Sequence, residues 1–317
     1  MEVVARAATS SAPVIITGES GTGKELVAET IHKLSPRCAG PYVPINCAAV
    51  PDTLIESELF GHERGAFTGA DRGREGRFES ANGGTLLLDE FIEMRPDMQA
   101  KLLRVLEDGK VRRLGGSREK LVDVRVLAAS NQSLQRSISE GRLREDLFYR
   151  LNVFTLELPP LRQRIEDLPL LVAHFIRQAN QDHRARVEGV SAECLEVLKR
   201  HRWPGNVREL RNVIEHSVIV SKRQTISLDD LPPQYRSPNG KVEHVSFPLG
   251  SSLDEVEREL IGRTIEFAAG NKTLAARMLG LGVRTLYRRL ERYGNGDRAG
   301  RGNGNGVSIA RRKGRRA

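Results

Sequence analysis

The sequence predicts an α/β fold: a parallel five-stranded sheet flanked by helices, then an all-helical subdomain, then a C-terminal all-α helix-turn-helix domain. Three observations predict it. An apolar run enters a glycine-rich turn at 14–24, VIITGESGTGK; five apolar runs alternate with helical segments up to residue 165; and strand patterns then give way to helical spacing. Runs that are apolar on both faces, such as TLLLDE and VRVLAAS, suit central strands of a sheet covered by helices on both sides.

The bulk composition bounds the function classes. A chain of 317 residues has room for two or three cores, and 29% charged with 5% aromatic residues suits a soluble globular protein. No apolar run approaches the length of a bilayer span, and MEVVARAATSSAP lacks the apolar core of a secretory signal, so a cytoplasmic protein with no membrane partner is expected. Cys38, Cys47 and Cys194 are odd in number and lack CxxC spacing, which argues against a disulfide framework or a zinc site. The net charge of +9 is uneven: from Arg284 onward eleven Arg/Lys face two acids, Glu291 and Asp297. Such an end points to nucleic acid, with a merely solvated tail as the commoner alternative.

Taken in order, the strands are expected at 14–17, 42–45, 85–88, 124–129 and 153–158. The first delivers the chain to Gly18, Glu19, Ser20, Gly21, Thr22, Gly23 and Lys24. Glycines let backbone N–H groups converge on phosphate oxygens, and Lys24 adds a point charge for the outer phosphates. Val27, Ile31 and Leu34 follow at helical spacing, so a helix N-terminus also faces the anion. Glu25 stands where the generic loop has a Ser or Thr for magnesium. Met98, Leu102, Val105 and Leu106 mark an intervening helix. From about residue 166 to 235 helices are expected at 168–179, 192–201 and 207–220, with Asn206 able to cap the last. Residues 236–250 read as a linker. In 251–294 a long helix starts after Ser251 or Ser252, with Glu255 in capping-box position relative to Ser252, carrying Leu253, Val256, Leu260, Ile261, Ile265 and Ala268 on one face. Two short helices follow at 273–279 and 283–290. Leu274, Ala275, Met278, Leu279, Val283, Leu286, Tyr287 and Leu290 are expected inward, and Arg284, Thr285, Arg288 and Arg289 outward toward DNA. Residues 295–317 cannot bury a core and read as a disordered basic tail.

Thr85–Glu90, TLLLDE, ends an apolar strand in two carboxylates at the edge where ligands of α/β sheets bind. Asp89 is expected to hold magnesium, directly or through water, and Glu90 to orient and deprotonate an attacking water. The bland alternative is a helix-capping pair.

The stretch 46–70, NCAAVPDTLIESELFGHERGAFTGA, resembles the AAA+ ATPase domain of bacterial enhancer-binding proteins, activators of sigma-54-dependent transcription. GAFTGA, here Gly65, Ala66, Phe67, Thr68, Gly69 and Ala70, is close to diagnostic of that family. The likeness covers nearly all of residues 3–235, and 251–293 resembles the Fis-type domain of these proteins. It implies an AAA+ P-loop NTPase: residues 1–165 the nucleotide-binding subdomain and 166–235 its helical lid. It also implies ATP and Mg2+ as cofactors, and sigma-54, RNA polymerase, double-stranded DNA and copies of the same chain as partners. The family's phosphate loop commonly ends GKE, which accounts for Glu25. By resemblance Asn46 is a switch residue paired with the catalytic glutamate. Asn131 is the first sensor and Arg208, in WPGNVREL, the second. Arg144 and Arg150 are arginine fingers that complete a neighbouring subunit's site, which implies a ring, by family likeness a hexamer. Gly65 and Gly69 bracket an apolar tip, and an exposed Phe needs a partner, so Phe67 and Thr68 are expected to engage sigma-54. His62 lacks a second ligand at metal spacing and is expected to stiffen the base of that loop. Trp203 and Pro204 are expected to fix the lid helix.

The expected function is ATP-driven remodelling of sigma-54 polymerase, with DNA bound by the C-terminal helices. A nucleotide-gated DNA-binding protein resembling replication initiators is the second reading, and GAFTGA favours the first. The likeness begins almost at Met1, so no receiver or ligand-sensing domain is expected ahead of it within this sequence.

Overall fold

The computed structural model describes residues 2–67, 70–236, 247, 250, 252–268 and 271–299. It divides into two compact units, Met1–Lys241 and Val242–Ala317. No helix among the described residues is long and apolar enough to cross a membrane.

The first unit begins with α1 (Glu2–Thr9), β1 (Val14–Thr17), α2 (Lys24–Lys33), β2 (Tyr42–Asn46), α3 (Asp52–Phe60) and β3 (Thr85–Asp89). It continues with α4 (Pro96–Asp108), β4 (Arg125–Ser130), α5 (Leu134–Ser139), α6 (Glu145–Leu151) and β5 (Phe154–Glu157). The five strands form one parallel sheet in the order β2-β3-β4-β1-β5. All five expected strands are present, with ends moved by a residue or two. Successive side chains of a strand point to opposite faces, and the core divides accordingly: Ile15, Leu86, Leu88, Val126 and Ala128 on one side, Val14, Ile16, Leu87, Leu127 and Ala129 on the other. Because β1 lies between β4 and β5, the loop leaving Thr17 emerges mid-sheet, at the carboxyl edge.

Several details differ from the sequence reading. In α2 the buried residues include Ala28, Ile31 and His32, whereas Leu34 is 53% exposed because the helix ends at Lys33. Helix α1 was not anticipated. Two of its terminal carbonyls are met by Arg125, 2% exposed, which donates to Ala7 O (2.6 Å) and Ala8 O (3.1 Å), and also to Ala12 O beyond the helix (3.3 Å). Orphan carbonyls of a helix end carry partial negative charge, so a buried cation is satisfied there. Two short antiparallel pairs were also missed: Gly61–His62 with Arg74–Glu75, and Lys110–Arg112 with Glu119–Leu121. The Gly115-Gly116 turn between flanking basic and apolar residues is the hairpin signal for the second.

Helices α7 (Leu168–His183), α8 (Ala192–Arg200) and α9 (Asn206–Val220) form the helical subdomain. Trp203 anchors its core, fully buried, with its indole N–H donating to Leu198 O at 2.9 Å and its ring stacked on Tyr235. Asn206 does not cap α9. It is the first helical residue, at φ 52, and its side chain turns toward the phosphate loop instead; Glu209 reaches back to the Gly205 N–H at 2.8 Å.

In the second unit α10 (Leu253–Phe267), α11 (Lys272–Met278) and α12 (Val283–Ala299) enclose Ile261, Ala268, Ala275, Ala276 and Leu286. The Ser252/Glu255 capping box is present. Of the residues expected inward, Leu253, Leu260, Met278, Val283 and Tyr287 are exposed, because three short helices shield only a narrow stripe of each. Helix α12 runs on through Gly294 and Gly296 to Ala299, where no structure was expected after residue 294; a helix already nucleated gains a hydrogen bond for each residue added. Most of the expected linker and residues 300–317 lie outside the described residues.

Candidate functional site

The carboxyl edge of the sheet gathers the expected nucleotide residues. Lys24, 7% exposed, donates to Gly18 O at 3.0 Å and to Glu19 O at 3.5 Å, and lies 3.7 Å from Glu90 Oε1. Gly23 precedes α2 at φ 102, a conformation that L side chains rarely adopt, which turns the loop into the helix. Glu25, in the first turn of α2, is exposed.

Glu90 departs from β3 in the left-handed region, φ 52 and ψ 44. Strain of this kind in a residue with a side chain marks functional sites. The turn brings Glu90 to Lys24 and to Asn131, whose N–H donates to Glu90 Oε2 at 3.1 Å. Asn46, expected on the catalytic glutamate, instead donates to Asp89 Oδ2 at 3.0 Å. Register explains this, because Asn46 stands opposite Asp89 in the β2–β3 ladder. The Asn46 amide is oriented by the Ala48 and Ala49 N–H groups on its oxygen. Cys47, beside these acids, has its thiol pushed up to about 12 by burial, helped by the Asp89 and Glu90 charges, which disfavours the thiolate.

Magnesium takes one or two carboxylates plus phosphate oxygens and water rather than an all-protein cage. The donor set fits: Asp89 offers a carboxylate beside the phosphate loop, and no cluster of three His, Cys, Asp or Glu suited to a metal occurs among the described residues.

The helical subdomain reaches the loop from outside. Arg162 clamps Glu19 with two bonds, 2.7 and 2.6 Å, and Arg164 donates to Thr22 O at 2.8 Å. Arg208 Nη1 lies 3.3 Å from Ser20 Oγ. Arg144 and Arg150 sit elsewhere: Arg144 is held by Asp146 at 3.0 and 2.7 Å, and Arg150 by Leu106 O at 2.7 Å. The sequence reading missed Gln99, which is fully buried and fixes the Arg144 backbone by accepting its N–H at 2.9 Å.

The two ends of the GAFTGA segment meet, with the Gly65 N–H on Ala70 O at 2.9 Å. Phe67 is 39% exposed and packs edge-on against His62; Thr68 and Gly69 lie outside the described residues. His62 is bonded to Ser57 Oγ (2.7 Å) and Arg72 O (3.0 Å), which ties down both sides of the loop's base. The missed 110–121 hairpin supports the same base through the Glu63 N–H on Leu114 O. In the second unit Arg284 and Arg288 are exposed, but Arg289 is paired with Glu257 of α10 and leaves the expected DNA-facing set.

Comparison with known proteins follows this division. Residues 1–157 match the sigma-54 interaction domain, 162–246 the AAA+ ATPase lid domain and 252–293 the Fis family of bacterial regulatory proteins. The chain is 47% identical over 296 residues to regulatory protein AtoC of Escherichia coli (strain K12), covering 92% of this chain and 64% of AtoC. It is 47% identical over 294 residues to transcriptional regulatory protein ZraR of the same strain, covering 91% of this chain and 65% of ZraR. The chain therefore spans less than two thirds of the length of these relatives. Crystal structures of NtrX from Brucella abortus are similar at 35% identity: TM-score 0.70 in complex with ADP, covering 92% of this chain and 67% of that one, and 0.68 in complex with ATP, covering 92% and 66%. With its parallel-sheet phosphate-loop fold, GAFTGA sequence, helical lid and C-terminal helix-turn-helix, the chain belongs to the bacterial enhancer-binding protein family of sigma-54-dependent regulators.

Proposed function

We propose that this protein is an ATPase of the cytoplasm that remodels sigma-54 RNA polymerase at promoters, bound to DNA through its C-terminal helices. The observation that carries the reading is the convergence of Lys24, Asp89 and Glu90 at one sheet edge of a domain that also presents Phe67. Lys24 and the loop N–H groups hold the β- and γ-phosphates, and Asp89 would hold the magnesium, which neutralises charge on those oxygens when bound. Glu90 takes a proton from the water whose oxygen bonds to the γ-phosphorus while the bond to the β-phosphate oxygen breaks, releasing ADP and phosphate. Asn131 orients Glu90, and Arg208 reaches the phosphates from the lid. Arg144 and Arg150 of one subunit serve the next subunit's site in a ring, by family likeness a hexamer. The Ala66–Phe67–Thr68 tip engages sigma-54, and Arg284, Thr285 and Arg288 contact DNA.

Glu90→Gln tests the chemistry. The variant should bind ATP with affinity near that of wild type, lose at least about 10²-fold in hydrolysis, and form no open promoter complex. Transcription at the wild-type level in Glu90→Gln would instead favour a nucleotide-gated DNA binder. Phe67→Ala should keep ATPase activity and lose sigma-54 engagement, read by co-elution of the two proteins with a transition-state analogue.

A further inference from the structure

The outer face of the phosphate loop is bonded residue by residue to the helical subdomain and to the segment that enters it. Besides the Arg162–Glu19 clamp and the Arg164 bond to Thr22, the Gly21 carbonyl accepts the Val207 and Arg208 N–H groups at 2.9 and 3.3 Å. Contact is so close that a methyl group on Gly21 would lie 2.3 Å from the Gly205 carbonyl oxygen. The loop therefore cannot change shape without moving residues 205–208.

Asn206 is the centre of this contact. Its side chain is wholly buried and all its amide groups are used: Nδ2 donates to Glu19 Oε2 at 3.1 Å and to Ser20 O at 3.0 Å, and Oδ1 accepts the Leu161 N–H at 2.8 Å. One residue thus ties together the phosphate loop, the segment entering the helical subdomain and the start of α9. The backbone there is left-handed, φ 52, a position that glycine fills with less strain. What asparagine adds is the amide, and its geometry serves the loop. Arg208, two residues further on, is aimed by the same turn.

We propose that Asn206 is a positioning residue: with Glu19 it latches the helical subdomain to the phosphate loop, so that phosphate binding on the loop's inner face sets the lid angle and delivers Arg208. The delivery of Arg208 rests on the nucleotide reading above; the latch itself does not.

The test places spin labels on Cys38, which is exposed while Cys47 and Cys194 are buried, and on Ala173→Cys, at an exposed position of α7. Interspin distances are then recorded in the full chain with and without a non-hydrolysable ATP analogue and Mg2+. Asn206→Gly keeps the backbone conformation and deletes the amide; Glu19→Ala, at the surface, deletes the other half and serves if the first variant fails to fold. Without nucleotide the parent should give one narrow distribution and both variants a broad one. The variants should also lose about 10²-fold in kcat, the cost of a misplaced group, with the KM for ATP changed less than about threefold. A purely structural role would lower the melting temperature without this split. A narrow distribution in the variants, or a nucleotide-driven shift equal to that of the parent, overturns the latch. Broadened variants of a parent that does not hydrolyse ATP would uphold the latch and sink the ATPase reading.

Discussion

Glu19 belongs by sequence to the loop that cradles phosphate, yet its carboxylate is spent on Arg162 and Asn206. The Arg162 guanidinium, with help from the Asn206 amide, lowers its pKa from 4.5 to about 2. A carboxylate with a depressed folded pKa stabilises the fold fully above its unfolded pKa and loses that contribution as pH falls through the folded value. The stability difference between wild type and Glu19→Gln should therefore be constant from pH 7 to about 5 and shrink between about 4.5 and 2, measured by urea unfolding across that range. A difference that grows on acidification would contradict the clamp. These residues also mark a limit of the sequence. Asn before a helical run reads as a cap because capping is local, whereas the bonds that Asn206 makes span 45 and 187 positions. Asn46 was assigned to the wrong carboxylate for a similar reason: only the strand register decides between Asp89 and Glu90.

Strands were the most legible elements, since a run buried on both faces admits few alternatives, and the edge that gathers the candidate nucleotide residues followed from them. Helical faces were over-read. Spacing gives the direction in which Leu34, Leu260 or Tyr287 points, but not whether a neighbour exists to cover it. In the helix-turn-helix the same uncertainty touches function. Arg284 and Arg288, four apart on α12, share an open face, while Arg289 and Arg292 turn back to Glu257 and Asp254 of α10. Arg288→Ala should cost about 1–3 kcal/mol of specific DNA binding, measured by titration at fixed salt. Arg289→Ala should leave the specificity ratio unchanged and lower the melting temperature of the domain. Equal losses of specific binding in both variants would show that α12 is oriented differently on DNA.

At the scale of the whole molecule, Arg144 and Arg150 make their contacts with Asp146 and Leu106 rather than with their own phosphate loop, which suits the proposal that they serve the site of a second copy. Mixing two inactive variants tests this. Glu90→Gln and Arg150→Ala subunits combined in equal amounts should regain activity, because about a quarter of the junctions in a head-to-tail ring then pair an intact glutamate with an intact arginine. No recovery at any ratio would place both groups in one subunit. Arg125 has a different consequence. The clamp on the lid is an ion pair at the surface, which dissolved salt weakens; the N-terminal helix is held by a cation sealed among carbonyl oxygens, where mobile ions do not penetrate. Raising ionic strength should therefore weaken the Arg162–Glu19 part of the lid's attachment and leave the buried Asn206 bonds, while α1 stays seated, so that a force applied through that helix still reaches strand β4 and, beyond its far end, Asn131.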